Sequence, residues 1–185
     1  MTRSKRPIRL LAVLGLVACQ PVQQAPPALP APTAAVAAPA AETAIKPAKP
    51  RLVVQTFAGE QFDLQAHRGK WVVVNFWATW CNPCLKEIPD LDAFDQARPD
   101  VEMIGLAYEE IERADMEAFL KVHRIDYPIA LLDVYDPPAD FDTPNGLPMT
   151  YLIAPDGSVA RKFLGPVTSA ELAKMIGSPA PASAK

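Results

Sequence analysis

The spacing of apolar positions changes several times along this chain, and each change marks an element. Residues 52–57 and 61–64 are short runs rich in apolar and β-branched side chains. They flank Ala58-Gly59-Glu60, which predicts a hairpin. Residues 71–76 are almost all apolar, as expected of a strand covered on both faces. Residues 83–97 mix polar and apolar positions and predict a helix, with Pro89 removing one of its hydrogen bonds and kinking it. Residues 101–107 form a second buried strand. Residues 111–123 place Ile111, Ala114, Ala118 and Val122 at helical spacing, the mark of an amphipathic helix. Residues 129–132 are a short strand, and the polar, proline-rich residues 133–147 a loop. Residues 149–154 and 158–164 flank Pro155-Asp156-Gly157 and predict a second hairpin. Thr168 can cap a last helix that runs to Ile176, where Gly177 stops it. Strands alternating with helices over residues 51–177 argue for an α/β domain built on a central sheet.

The flanks are of another kind. Arg3, Lys5, Arg6 and Arg9 precede an apolar run at 10–18. That run is about nine residues long, far below the roughly 20 that cross a bilayer, so residues 1–18 read as an export signal. It ends in Leu16-Val17-Ala18-Cys19, which resembles a bacterial lipobox, with Cys19 acylated and becoming the new N-terminus. The competing reading is an ordinary cleaved signal with Cys19 incidental. Several acyl chains hold a protein on a membrane far better than one. Gln20 after that cysteine resembles signals for sorting to the outer membrane. Residues 19–50 are then a lipidated terminus and an Ala/Pro-rich linker, too poor in large apolar side chains to offset the entropy of ordering. Extended, it reaches up to roughly 90 Å. The tail at 178–185 is of the same composition and is expected to be mobile.

Half of the 185 residues are hydrophobic, but alanine inflates the figure. The formal charge of −3 becomes −7 once the four basic residues of the leader are removed, and no basic block exists. Nucleic-acid binding therefore has no support.

The chemistry sits at Trp80-Cys81-Asn82-Pro83-Cys84, where the strand at 71–76 runs into the helix at 83–97. The start of a helix leaves N–H groups unpaired and carries partial positive charge. A thiolate there is stabilised, and its pKa falls below the usual value of about 8.5. Cys81, at the mouth of the helix, gains most and is the expected nucleophile. Cys84, one turn further in, is the expected resolving thiol. Pro83 suits the first turn, where an N–H would be unpaired anyway. A structural zinc site would need four ligands. The remaining cysteine is Cys19, and His67 and His123 are isolated surface residues, so no metal site is expected.

The segment Val74-Asn75-Phe76-Trp77-Ala78-Thr79-Trp80-Cys81-Asn82-Pro83-Cys84 resembles the active-site segment of the thioredoxin superfamily. Its continuation, Leu85-Lys86-Glu87-Ile88-Pro89, resembles the TlpA/ResA-like branch of extracytoplasmic thiol-disulfide oxidoreductases. The resemblance implies a thioredoxin-like fold, a central mixed β-sheet flanked by helices, with the hairpin at 52–64 as an N-terminal addition. It implies a redox-active Cys81–Cys84 disulfide and no further cofactor. Gly146-Leu147-Pro148-Met149-Thr150 resembles the superfamily's cis-proline loop, which puts Pro148 opposite Cys81 and lets the backbone of Leu147 pair with an extended substrate segment. Asn75 departs from thioredoxin proper, where a buried aspartate commonly serves as base for the inner thiol. Glu87, on the same helical side as Cys84, is its expected replacement. Trp77 is expected in the core and Trp80 exposed, offering apolar surface to partners. Met149, beside the proline, is expected to serve in ordinary packing.

The implied activity is thiol-disulfide exchange in the periplasm. Partners would be protein disulfides, as in cytochrome c or copper-site maturation, and a membrane-embedded thiol donor. The dipeptide Asn82-Pro83 lacks the histidine of strongly oxidising relatives, which favours a reductant. Two alternatives share the thiols: a Cu(I)-binding metallochaperone lipoprotein, since soft thiolates suit that ion, and a disulfide oxidase.

Overall fold

The computed structural model of the chain describes residues 46–177. The leader, Cys19, residues 20–45 of the linker and the tail at 178–185 lie outside the described residues. Contact with the domain begins before the Arg51 boundary read from the sequence. Lys46 donates to the Ala139 carbonyl, Ala48 accepts from the Val159 amide at 2.9 Å, and Lys49 pairs with Asp156.

Strands β1 (Val53–Gln55) and β2 (Gln61–Asp63) form the expected hairpin, a two-stranded sheet of its own. A single 3-10 turn, Leu64–His67, follows. Then come β3 (Trp71–Trp77), α1 (Asn82–Ala97), β4 (Val101–Ala107), α2 (Arg113–Val122) and β5 (Ile129–Leu131). The chain ends with the hairpin β6 (Met149–Ile153) and β7 (Val159–Leu164), then α3 (Ser169–Ile176). The main sheet has the order β5-β4-β3-β6-β7. β3, β4 and β5 are parallel, whereas β6 and β7 each run antiparallel to the strand before them in that order. The sheet is mixed and the fold thioredoxin-like, as the resemblance implies, and the α/β class is the one that the alternation of strands and helices predicts.

Alternate residues of the central strands serve different cores, as a period of two requires. Val73, Trp77, Met103, Ala107 and Leu152 face the helices and pack with Ile88 and Leu91 of α1, Met116 of α2 and Leu172 of α3. Val72, Val74, Phe76, Ile104, Leu106, Met149 and Tyr151 face the other way. That face is covered by Leu52 and Phe62 of the hairpin region, Leu64, and Phe141 from the loop at 133–147. The hairpin region and that loop thus form the layer on that side. Helix α2 starts two residues later than its apolar spacing suggests, and its N-cap, Glu112, makes no side-chain cap bond. Thr168 and Glu171 form a reciprocal capping box on α3, and Gly177 closes it at φ 80°. The left-handed backbone there is one glycine adopts without a steric penalty.

Candidate active site

β3 is buried from Val72 onward, and its last residue, Trp77, leads into the site. The chain then turns through Ala78, Thr79 and Trp80. The Cys81 amide donates to the Ala78 carbonyl at 3.1 Å. Cys81 is the N-cap of α1, with extended backbone, and its Sγ accepts the Cys84 amide at 3.3 Å. Its carbonyl accepts the Leu85 amide at 3.1 Å. The nucleophile position therefore lies where the first free N–H groups of α1 point, the setting that stabilises a thiolate.

Cys81 and Cys84 are joined in a disulfide. Cys81 retains 4 % of its surface and Cys84 none, so what access exists is through Cys81. Trp80 is 67 % exposed beside it, and Trp77 is fully buried. The Leu147–Pro148 peptide bond is cis, immediately before β6. Leu147 packs against both cores and Met149 is fully buried in one of them. His67 stacks on Phe62 and His123 on Phe119.

Glu87 does not face solvent. It is 5 % exposed, one turn of α1 beyond Cys84. Its Oε1 accepts Asn75 Nδ2 at 2.9 Å, and its Oε2 accepts the Val167 amide at 2.9 Å. Burial raises the carboxyl to about 7, and the two donated hydrogen bonds oppose that rise only in part. Asn75 Nδ2 also donates to Thr150 Oγ1 at 2.9 Å. Asn75 and Thr150 are register partners on β3 and β6, on the face that α1 covers.

Two participants carry no local sequence signal. Val167 enters through its backbone, 80 residues from Glu87. Glu109 looks like one member of a solvated acidic run, Glu109-Glu110-Ile111-Glu112. It is instead buried, and its carboxylate holds both the amide and the hydroxyl of Thr79, two residues before Cys81. The visible clue is that Glu109 stands two residues beyond a buried strand, β4, that runs parallel to β3 and ends beside it.

A buried carboxyl near neutrality, two cysteines at a helix start and an exposed aromatic beside them make an arrangement suited to two-electron sulfur exchange. Comparison with known proteins agrees. Residues 45–164 match the AhpC/TSA family. The chain is 34 % identical over 125 residues to the thiol-disulfide oxidoreductase ResA of Bacillus cereus, covering 66 % of this chain and 71 % of that protein. The crystal structure of a thiol:disulfide interchange protein of the thioredoxin family from Chlorobium tepidum TLS superposes with a TM-score of 0.60 at 26 % identity, over 72 % of this chain and 95 % of that one. StoA from Bacillus subtilis shares the fold with a TM-score of 0.61 at 24 % identity, over 71 % of this chain and all of that one. This chain belongs to the AhpC/TSA family and is a thiol-disulfide oxidoreductase of the ResA and StoA type.

Proposed function

We propose that this protein is a reductant of protein disulfides in the periplasm, held to a membrane through an acylated Cys19. Cys81 thiolate attacks one sulfur of a substrate disulfide, forming a mixed disulfide and releasing the first substrate thiolate. Cys84 then gives its proton to Glu87 carboxylate and attacks Cys81 Sγ. That step breaks the mixed disulfide, frees the second substrate thiolate and leaves Cys81–Cys84 oxidised. Two electrons pass from the pair to the substrate. A membrane thiol donor restores the dithiol by the same exchange run in reverse.

The observation that supports this best is the asymmetry of the pair. Cys81 Sγ takes an N–H bond at the start of α1, while Cys84 is sealed in with a carboxyl raised by burial. A buried inner thiol needs a nearby group to take its proton, and Glu87 lies on its helical side. Trp80 and the backbone of Leu147 beside Pro148 would receive an extended substrate segment. The absence of histidine between the cysteines favours reduction, and the resemblance to the TlpA/ResA-like branch suggests apocytochrome c or copper-site cysteines as substrates.

The deciding experiment is the reduction potential of the pair, with reduction of a model disulfide by wild type and Cys81→Ser. A potential near about −270 mV and loss of activity in the variant fit the proposal. A potential near about −120 mV would mark an oxidase instead.

A further inference from the structure

One buried atom in the network under the cysteines has no partner among the described residues. Asn75 Nδ2 donates to both Glu87 Oε1 and Thr150 Oγ1, while Asn75 Oδ1 is sealed from solvent and unpaired. An asparagine amide has a donor end and an acceptor end of nearly the same shape. Ionised Glu87 can only accept; protonated Glu87 can also donate. The hydroxyl of Thr150 can do either.

We propose that Asn75 is a proton-coupled amide switch, its Nδ2 facing Glu87 and Thr150 while Glu87 is ionised and its Oδ1 taking that place once Glu87 gains a proton. In the ionised arrangement Thr150 accepts. In the protonated one Thr150 and Glu87 both donate to Oδ1. One end of the amide is unpaired either way: the carbonyl oxygen while Glu87 is ionised, the NH2 group once it is protonated. A leucine at position 75 could serve neither state. Asn75 is thus a positioning residue that lets a buried carboxyl change protonation without breaking its surroundings. That function rests on the proposed role of Glu87 as acceptor of the Cys84 proton.

The groups around Glu87 leave this task to the amide. On its own helix the titratable neighbour is Cys84, one turn earlier. From the segment leading into β5 it is Tyr127, whose buried hydroxyl is kept neutral by that burial. The Val167 amide, Asn75 and Thr150 are neutral. Among the described residues no charged side chain pairs with Glu87, and burial alone accounts for its rise to about 7.

The test is NMR on the full chain in its disulfide form, labelled with 13C and 15N and titrated from below to above neutrality. The Asn75 side-chain amide and carbonyl resonances should move with the same midpoint as the Glu87 carboxyl carbon. In Thr150→Val both states lose their Thr150 bond, but the ionised state is left with an orphaned N–H on Nδ2, whereas in the protonated state Oδ1 is still satisfied by Glu87. The Glu87 midpoint should therefore rise by roughly half a pH unit or more. Asn75 resonances that stay still while Glu87 titrates would overturn the switch. So would an unmoved midpoint in Thr150→Val. If that variant does not fold, the wild-type titration decides alone. No substrate or thiol enters the measurement, so failure here leaves the reductase proposal standing, and failure of the reductase leaves the switch standing.

Discussion

Glu109 and Thr79 are tied twice. The Thr79 amide donates to Oε1 at 2.6 Å and its hydroxyl to Oε2 at 2.9 Å. One buried carboxylate therefore clamps the turn that carries Trp80 and Cys81 to the end of β4. Hydrogen bonds to a charged acceptor are worth more than neutral ones, and removing the acceptor leaves a partly buried N–H unpaired. Glu109→Ala should cost about 2–4 kcal/mol in urea denaturation of the oxidised protein. It should also slow attack by Cys81, because the turn is no longer held. A loss below about 0.5 kcal/mol would show that the turn is fixed by other means.

Glu87 makes stability depend on pH in a direction opposite to that of an ordinary paired carboxylate. Its pKa is raised from 4.5 to about 7 in the folded protein. Between those values the native state holds a proton that the unfolded chain has lost. The Glu87 contribution to stability is therefore greatest below pH 4.5 and is lost as pH rises through 7. The window corresponds to roughly 3 kcal/mol. Asp95, raised to about 6 chiefly by burial, adds to the same slope. In Glu87→Gln the Glu87 part vanishes while the Asp95 part remains. The variant's stability relative to wild type should improve on going from pH 4.5 to 8. Parallel stability curves across that range would mean Glu87 is not the titrating group.

The parts of the site legible in the sequence are those written locally. Cys81, Pro83 and Cys84 announce a helix start because capping, proline placement and thiol spacing act within four residues. Pro148 stands before a strand with a hairpin signal behind it. Glu87 could be singled out because i,i+3 spacing on a helix puts it beneath Cys84. What holds Glu87 could not, since Thr150 and Val167 reach it through strand register and a loop. Asp92 behaves likewise. It reads as a helix surface acid, yet it caps the amides of Asp126 and Tyr127, 34 and 35 residues away. The covering of the second sheet face by a hairpin and a loop also escaped, because residues 133–147 have no period, and Phe141 is their deeply buried anchor.

The position of Cys81 at the N-cap makes a kinetic prediction for the reduced protein. Its alkylation rate should follow a thiolate population with a midpoint below about 8.5. Cys84, with no exposed surface in the disulfide form, should react much more slowly in the folded state. Mass spectrometry after timed alkylation distinguishes the two. Cys84→Ala should leave Cys81 reactive and accumulate mixed disulfides, since nothing remains to resolve them. Equal labelling of both thiols in wild type would contradict the division of roles.

Gly105 marks how tightly the floor of the site is built. It lies on β4 between Asn75 of β3 and Ile129 of β5. A Cβ there would meet Tyr127 Cε2 at 2.9 Å, Trp77 Nε1 at 3.0 Å and Ile129 Cγ2 at 3.2 Å. Two of these atoms belong to buried rings with little room to swing. Replacing glycine by alanine gains about 0.4–1 kcal/mol by restricting the unfolded chain. Overpacking a filled core costs about 1–3 kcal/mol, so the net effect of Gly105→Ala should be a loss. Tyr127 and Trp77 would both have to shift, and Trp77 leads directly into the turn that presents Cys81. The loss of stability should therefore come with altered tryptophan fluorescence and a changed rate of Cys81 alkylation. A variant as stable as wild type, with both signals unchanged, would mean that the rings relax at no cost and that the floor does not set the geometry of the turn.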